Sequence, residues 1–268
     1  INSIRLFKLN AINILNTKIF DIYAISGSFI FAVDSNKLII TNLISMNISA
    51  DTYGAVFCLY NNNSFIFTLG TIQNLLSTEG SFIFVGAYNK VGISNSTIKN
   101  VYTFFSLTNN YIFPSSALAC FFLNNTILLE NISVNQSQSD GQGGVFLMDY
   151  NNTLYISDCL FYHLRSSYEA GFIYSHTENQ IYLMKVKIFN TSSSIGGSFF
   201  LKKKNKLFCI NISLSISKAV EGGVFYATEE NTIISFIGLI NNSRSTDSGG
   251  LFYVNLKNRV LISDTNIG

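Results

Sequence analysis

A repeat of 26 or 27 residues runs through this sequence and limits what the chain can fold into. Asparagine marks the repeat, with a single long interval of 36 residues between Asn89 and Asn125. Glycine gives a second series, whose one long interval separates Gly80 from Ala117 in the same repeat. A period of this length is the signature of a solenoid. The marker residues are Asn10, Asn36, Asn63, Asn89, Asn125, Asn152, Asn179, Asn205, Asn231 and Asn258; the glycine series is Gly27, Gly54, Gly80, Ala117, Gly144, Gly171, Gly197, Gly223 and Gly250.

The residues after each marker Asn predict β-strands. The second residue after the marker is apolar in every repeat, and the fourth is apolar in all repeats except at Ser235. This alternation has the period of a strand, in which every second side chain points to the same face. A third apolar position follows nine residues after the marker, where Ser45 is the exception. Together with an apolar residue after each Gly, the pattern predicts three short strands per repeat.

We therefore predict an all-β fold, a right-handed parallel β-helix (solenoid) of about ten coils of 26–27 residues. It would form one domain over residues 1–268, with a loop insertion at about residues 101–116. A leucine-rich-repeat horseshoe has a unit of similar length but needs a Leu-dominated consensus, and propeller blades are longer. Successive coils of a β-helix pair about 4.8 Å apart, so equivalent residues stack on one another.

Three stacks follow from this register. The first is a structural Asn ladder, formed by Asn36, Asn63, Asn89, Asn125, Asn152, Asn179, Asn205, Asn231 and Asn258. The second is a Phe stack two residues after the glycine markers, formed by Phe29, Phe82, Phe146, Phe199, Phe225 and Phe252. The third is a charge ladder of alternating sign just before four successive markers, formed by Glu178, Lys204, Glu230 and Lys257.

Four Gly-Gly-x-Phe runs, beginning at Gly143, Gly196, Gly222 and Gly249, sharpen the pattern. Together with the recurrent Asn they resemble the repeats of pectin-lyase-like β-helices. The resemblance is greater to the Gly-Gly-rich passengers of polymorphic outer-membrane proteins and to repetitive surface proteins of ciliates. It implies a rod that is secreted or displayed at the cell surface as an adhesin or a stalk. The first half has single Gly residues in place of the pair and resembles these families less.

Chemistry-bearing residues are few in the sequence. Pectin-lyase-like enzymes use clustered acids and bases on one face of the rod, whereas the 15 acidic residues of this chain are scattered along it. His163 is expected to be one rung of a polar ladder that lies eleven residues after the markers, and His176 to stand alone in a turn. We predict no catalytic residue, metal or cofactor, so the chain is not expected to be an enzyme. The alternative is a carbohydrate-binding or carbohydrate-cleaving β-helix, which would show a groove with convergent acids and bases.

Composition narrows the partners and the compartment. A net charge of +2 does not predict a basic face, so we expect no nucleic-acid partner. No apolar run approaches the roughly 18 residues of a membrane span. The four Cys are expected to be buried free thiols without disulfides, because Cys58 and Cys120 fall two coils apart. Asn-x-Ser/Thr sequons favour a secretory route and an extracellular or cell-surface location, and we expect glycans among the partners. The best-placed candidates for glycosylation are Asn62, Asn124 and Asn151.

The insertion and the two ends are the remaining candidates for contact with a partner. The insertion carries aromatic residues that either bind a partner or fold back over the rod: Tyr102, Phe104, Phe105, Tyr111 and Phe113. Neither end has the charged, Pro-rich or helical pattern of a cap, which solenoids normally need. We therefore expect a fragment of a longer rod or a filament subunit, which associates end to end with copies of itself or with further repeats of the same chain. The leading hypothesis is an extracellular structural or adhesive rod.

Overall fold

The computed structural model describes residues 4–25, 29–52, 54–104 and 116–268, and these residues form β-strands and no helix. The predicted all-β, parallel β-helix class is confirmed. In chain order the strands are β1 (Ile4–Lys8), β2 (Ala11–Ala24), β3 (Ile30–Asp34), β4 (Lys37–Ala50), β5 (Phe57–Asn61), β6 (Ser64–Thr68), β7 (Thr71–Ser77), β8 (Ile83–Ala87), β9 (Lys90–Thr103), β10 (Ala119–Leu123), β11 (Thr126–Ser139), β12 (Phe146–Tyr150), β13 (Thr153–Ser157), β14 (Leu160–Ser166), β15 (Ile173–Thr177), β16 (Gln180–Met184), β17 (Lys187–Ser192), β18 (Phe199–Lys203), β19 (Lys206–Glu221), β20 (Phe225–Glu229), β21 (Thr232–Ser248), β22 (Phe252–Val254) and β23 (Arg259–Ile267).

Two parallel sheets wrap around one core. Sheet A contains ten strands in the order β1-β3-β5-β8-β10-β12-β15-β18-β20-β22, so each coil adds one short strand to it. Sheet B contains the other thirteen strands, which follow the marker Asn of each coil. Every pairing joins residues 26, 27 or, across the insertion, 36 positions apart, as in Phe199↔Phe225, Phe146↔Ile173 and Ala119↔Ile83. This is the coil period read from the sequence.

The corners of each coil are residues with left-handed backbone. In the coil that starts at β3, Ser35, Asn42 and Asn47 have φ angles of 52°, 57° and 57°. Asn adopts this conformation more readily than most residues. The last two corners lie inside β4, so the second and third strands predicted for this coil are one continuous strand that bends twice. The corner six residues after the marker has no counterpart in the sequence prediction, and it is occupied by Asn16, Asn42, Leu69, Asn95, Asn131, Asp158, Lys185, Asn211 and Asp264.

The glycine series needs a correction of one residue. Phe57, Ile83, Ala119 and Phe146 share one position in sheet A, so Gly54 and Gly80 are equivalent to Gly143 and not to Gly144. The two glycines of a pair do different work. Gly143 forms a left-handed corner with a φ angle of 72°. A Cβ atom on Gly144 would lie 2.2 Å from the carbonyl oxygen of Gly171 in the next coil. Gly54 and Gly80 are corner glycines that no second glycine follows.

The predicted Phe stack is consequently wrong as a single column. Phe146, Phe199, Phe225 and Phe252 do share one column, in which the last three rings are stacked at 5.0 and 4.8 Å. Phe29 and Phe82 belong to the column one residue earlier, as Phe172 does, because they directly precede strands of sheet A. Rings of the two columns meet in the core, where Phe172 lies 5.6 Å from Phe199 in an edge contact.

A second apolar cluster lies on the outer side of sheet A. It is separate from the main core and contains Cys58, Phe84, Cys120, Leu147, Tyr174 and Phe200, with Ala170 packed among them. The segments that return from sheet B to sheet A contribute to it through Ala170 and Ile195. All four cysteines are buried and free, and burial raises the pKa of the Cys209 thiol to about 12. The thiols therefore behave as small apolar side chains.

Candidate functional site on the outer face of sheet A

Sheet A turns alternate side chains outward, and stacking brings outward residues of successive coils together. In β12, β15 and β18 the register pairs Met148 with Ser175 and Ser175 with Leu201. The residues that follow these three, Asp149, His176 and Lys202, therefore occupy one outward column on three successive coils. Residues that are 26 or 27 positions apart in the sequence become direct neighbours in this way.

The three side chains contact one another through His176. Its Nδ1 lies 3.0 Å from Thr177 Oγ1 and 3.6 Å from Asp149 Oδ1, and its Nε2 lies 2.9 Å from Lys202 Nζ. An ammonium group can donate to Nε2 only when that nitrogen carries no proton. Burial and the charge of Lys202 lower the pKa of His176, while Asp149 opposes them. The imidazole is therefore neutral at neutral pH and lies between the carboxylate of Asp149 and the ammonium group of Lys202.

A second acid and a phenol border this column. Glu169 is half-buried and accepts a hydrogen bond from the Gln142 amide. Burial raises the pKa of Glu169, against smaller opposing effects of Gln142 and Lys202. Tyr174 is only 4% exposed, and burial followed by the charges of Glu169 and Asp149 raises its pKa. Five titratable side chains thus lie on three neighbouring coils.

This cluster corrects two expectations from the sequence. His176 lies within β15 rather than in a turn, and it is not alone. The acids near it are also not scattered, since the coil period brings Asp149 and Glu169 to the same face. A neutral imidazole and a carboxyl group with a raised pKa are the groups that general acid–base chemistry uses. Within the described ranges there is no group of three potential metal ligands.

The predicted Asn ladder lies inside the rod and serves the fold. In each coil from Asn10 to Asn231, the backbone N–H and the side-chain Nδ2 of the marker both donate to Oδ1 of the next marker, at 2.7–3.3 Å. The markers from Asn36 to Asn231 are at most 2% exposed. No marker amide is therefore available to a ligand along this stretch.

The predicted charge ladder is only partly formed. Its four residues occupy the left-handed corner before the marker, and Lys204 Nζ lies 3.9 Å from Glu178. Among the described residues no ion pair includes Glu230 or Lys257; a tighter pair of 3.0 Å joins Lys203 to Glu229 instead. These side chains are exposed or partly exposed, so water competes with each contact and the stabilisation is about 0–1 kcal/mol per pair.

The candidate glycosylation residues share the same corner. Asn62, Asn124 and Asn151 have φ angles of 54°, 51° and 50°. Asn62 and Asn151 are exposed and Asn124 is half-buried. The Asn151 amide donates to Asn124 Oδ1, so a glycan on Asn151 would replace one donor of that bond. Modification of these residues stays a prediction.

The insertion is described only at its base. Tyr102 and Phe104 are 38% and 37% exposed, while Phe105, Tyr111 and Phe113 lie outside the described residues.

His163 was predicted to be a rung of a polar ladder, and its Nδ1 contacts the Asn190 amide at 2.9 Å. Other rungs of that ladder join Asn47 to Asp21 and Asn74 to Asn47 at 2.8 Å.

Comparisons with known proteins add no relative. No family model, curated protein or solved structure matches the chain. The resemblance to pectin-lyase-like and surface repeat proteins therefore depends on the repeat residues alone. In the part of the chain that the structure describes, no helix could span a membrane.

Proposed function

We propose that this chain is an extracellular or cell-surface structural rod that follows the secretory route. The rod extends along its axis when further coils are added at its ends. The observation that supports the proposal is the direction of the Asn ladder. Each marker donates forward through two N–H groups and accepts from behind through one oxygen. Asn10 thus presents Oδ1 at one end. Asn258 presents its backbone N–H at the other, and its Nδ2 already donates to the carbonyls of Ala227 and Thr228. The two ends are complementary as donor and acceptor.

The apolar columns of the end coils support the same proposal. Val260 in the last described coil is 38% exposed, whereas its equivalent in the preceding coil, Ile233, is fully buried. Ile12 in the first coil is likewise partly exposed, although Leu38 above it is fully buried. A further coil, from the same polypeptide or a neighbouring copy, would bury these residues and pair the free strand edges.

End-to-end association should be visible in solution. We expect the protein to form concentration-dependent linear oligomers in sedimentation velocity, and Val260→Lys to reduce them by about tenfold or more, because it places a charge in the buried contact. Leu261→Lys on the adjacent outward position is the matched control and should leave association unchanged. A wild-type protein that stays monomeric at high concentration, or equal effects of the two variants, would refute growth by addition of neighbouring copies.

A second candidate, a carbohydrate-binding or carbohydrate-cleaving β-helix, is favoured by the cluster around His176. If this cluster acts on sugars, His176→Gln should lower turnover or affinity by about 100-fold in a panel of soluble polysaccharides, since the acid–base group is lost. Lys90→Gln, at an exposed position of sheet B outside this cluster, is the control and should have no effect. The candidate is excluded if the wild-type protein neither binds nor cleaves any member of the panel, or if His176→Gln matches wild type.

A further inference from the structure

A column of outward side chains on sheet B carries cationic residues on three of its last four coils. Register pairs Gln138 with both Tyr102 and Arg165, and then Arg165 with Ser192. The same column continues through Lys218 to Arg244. It therefore runs parallel to the rod axis over six successive coils, with three cationic residues among its members. We call it the cationic column.

One stretch of the cationic column forms a trough of about 250 Å³. Tyr102, Gln138, Arg165 and Ser192 line one side of it, and the corner residues Gln136, His163 and Asn190 line the other. These side chains offer one exposed ring, several amide and hydroxyl groups, and a guanidinium. No acidic residue lines the trough, and no ion pair occupies Arg165 within the described ranges.

We propose that the cationic column binds a linear acidic polysaccharide that lies along the rod axis. Arg165 and Lys218 are two coils apart, which is about 10 Å. A polymer of sugars with a carboxylate or sulfate on every second unit repeats its charge at a similar interval. Arg165 can bind such a group through two parallel hydrogen bonds. The amides of Gln138 and Asn190 suit sugar hydroxyls, and the ring of Tyr102 can stack on the apolar face of a sugar.

A nucleic acid fits the column less well. Single-stranded nucleic acids bind to proteins through successive aromatic rings on which the bases stack. Among the six described members of the column from Tyr102 to Arg244, Tyr102 is the only aromatic residue, and the others are Gln, Arg, Ser and Lys. The proposal is independent of axial growth, because it uses the side of the rod rather than its ends.

The test is binding of the folded protein to immobilised heparin, a polyuronate, a neutral glucan and single-stranded DNA, at about 0.15 M salt. We expect Arg165→Gln combined with Lys218→Gln to weaken binding to the acidic polymers at least tenfold. The matched control, Lys90→Gln combined with Lys206→Gln, removes the same charge from exposed residues of another column and should change affinity less than twofold. Ser192→Glu places an acid between the two cations and should weaken binding as strongly.

Each outcome decides for or against the column. The proposal is supported for an acidic polymer if the cationic-column variants lose affinity for that polymer selectively, and if the wild-type protein binds the neutral glucan more weakly. Equal losses in both double variants would overturn it, because they would show attraction by net charge alone. Absence of binding to either acidic polymer would also overturn it, and so would an equal affinity for single-stranded DNA. Circular dichroism confirms that each variant is folded, and sedimentation of the same samples reports axial growth separately.

Discussion

Asn152→Leu is expected to lower the stability of the rod by about 4 kcal/mol, a larger effect than any exposed substitution should have. Asn152 is fully buried, and its Oδ1 accepts from the backbone N–H and Nδ2 of Asn125 at 2.9 and 3.0 Å. Its Nδ2 donates to Asn179 Oδ1 and to the carbonyl of Phe122. Leu supplies none of these groups, so polar atoms on two coils lose a partner inside the rod.

Urea unfolding followed by circular dichroism measures this effect, with Asn151→Gly as the control. Asn151 is the exposed neighbour with φ of 50°, a conformation that Gly adopts without strain. The control should therefore stay within about 1 kcal/mol of wild type. If the two variants unfold at the same urea concentration, the Asn ladder does not contribute the stability that its burial and geometry imply.

The sequence was sufficient to predict the coil and the Asn ladder, because both depend on one residue type at a fixed interval. Asn recurs at a position where its side chain has a specific partner one coil away, so chemistry and period coincide. The glycine register was harder, because a coil has two adjacent positions that favour Gly for different reasons. Gly54 occupies the left-handed corner, whereas Gly171 occupies the position where the backbones of neighbouring coils approach closely. The sequence alone does not distinguish these two positions.

The acid–base cluster could not be read from the sequence for a related reason. His176 belongs to a strand of five residues, and neither Asp149 nor Lys202 is near it along the chain. Comparing equivalent positions of successive coils would have found the column. These three residues each lie three positions before a marker Asn, so the asparagine register already aligns them; the period alone does not show that this position points outward from sheet A.

The corner six residues after the marker shows a different limit. It recurs as Asn in only part of the coils, and Leu69, Asp158 and Lys185 occupy the same left-handed conformation. The backbone is fixed there by hydrogen bonds between coils, so the side chain need not be Asn. One such bond runs from the Lys185 N–H to the Ile210 carbonyl at 3.0 Å. Tertiary structure thus overrides local preference at this corner, so Asn does not recur there regularly enough to be recognised in the sequence.

Phe172→Ala should show how far such local packing extends along the rod. Phe172 is fully buried, and its ring lies 4.7 Å from Phe161 and 5.6 Å from both Phe146 and Phe199. Removing a buried Phe side chain costs about 3–5 kcal/mol, because apolar contacts are lost and a cavity remains. Phe236→Ala is the matched control: Phe236 is 39% exposed, so its loss should cost about 1 kcal/mol or less.

Hydrogen exchange distinguishes a local from a global effect. Each coil of a solenoid contacts only its neighbours, so the loss should concentrate in the coils that contact position 172. We expect Phe172→Ala to raise the exchange rates of β12, β15 and β18 amides by about 100-fold or more, while amides of β4 change little. Equal acceleration in all of these strands would mean that the rod unfolds as one cooperative unit. That result would contradict the view that this chain gains stability one coil at a time.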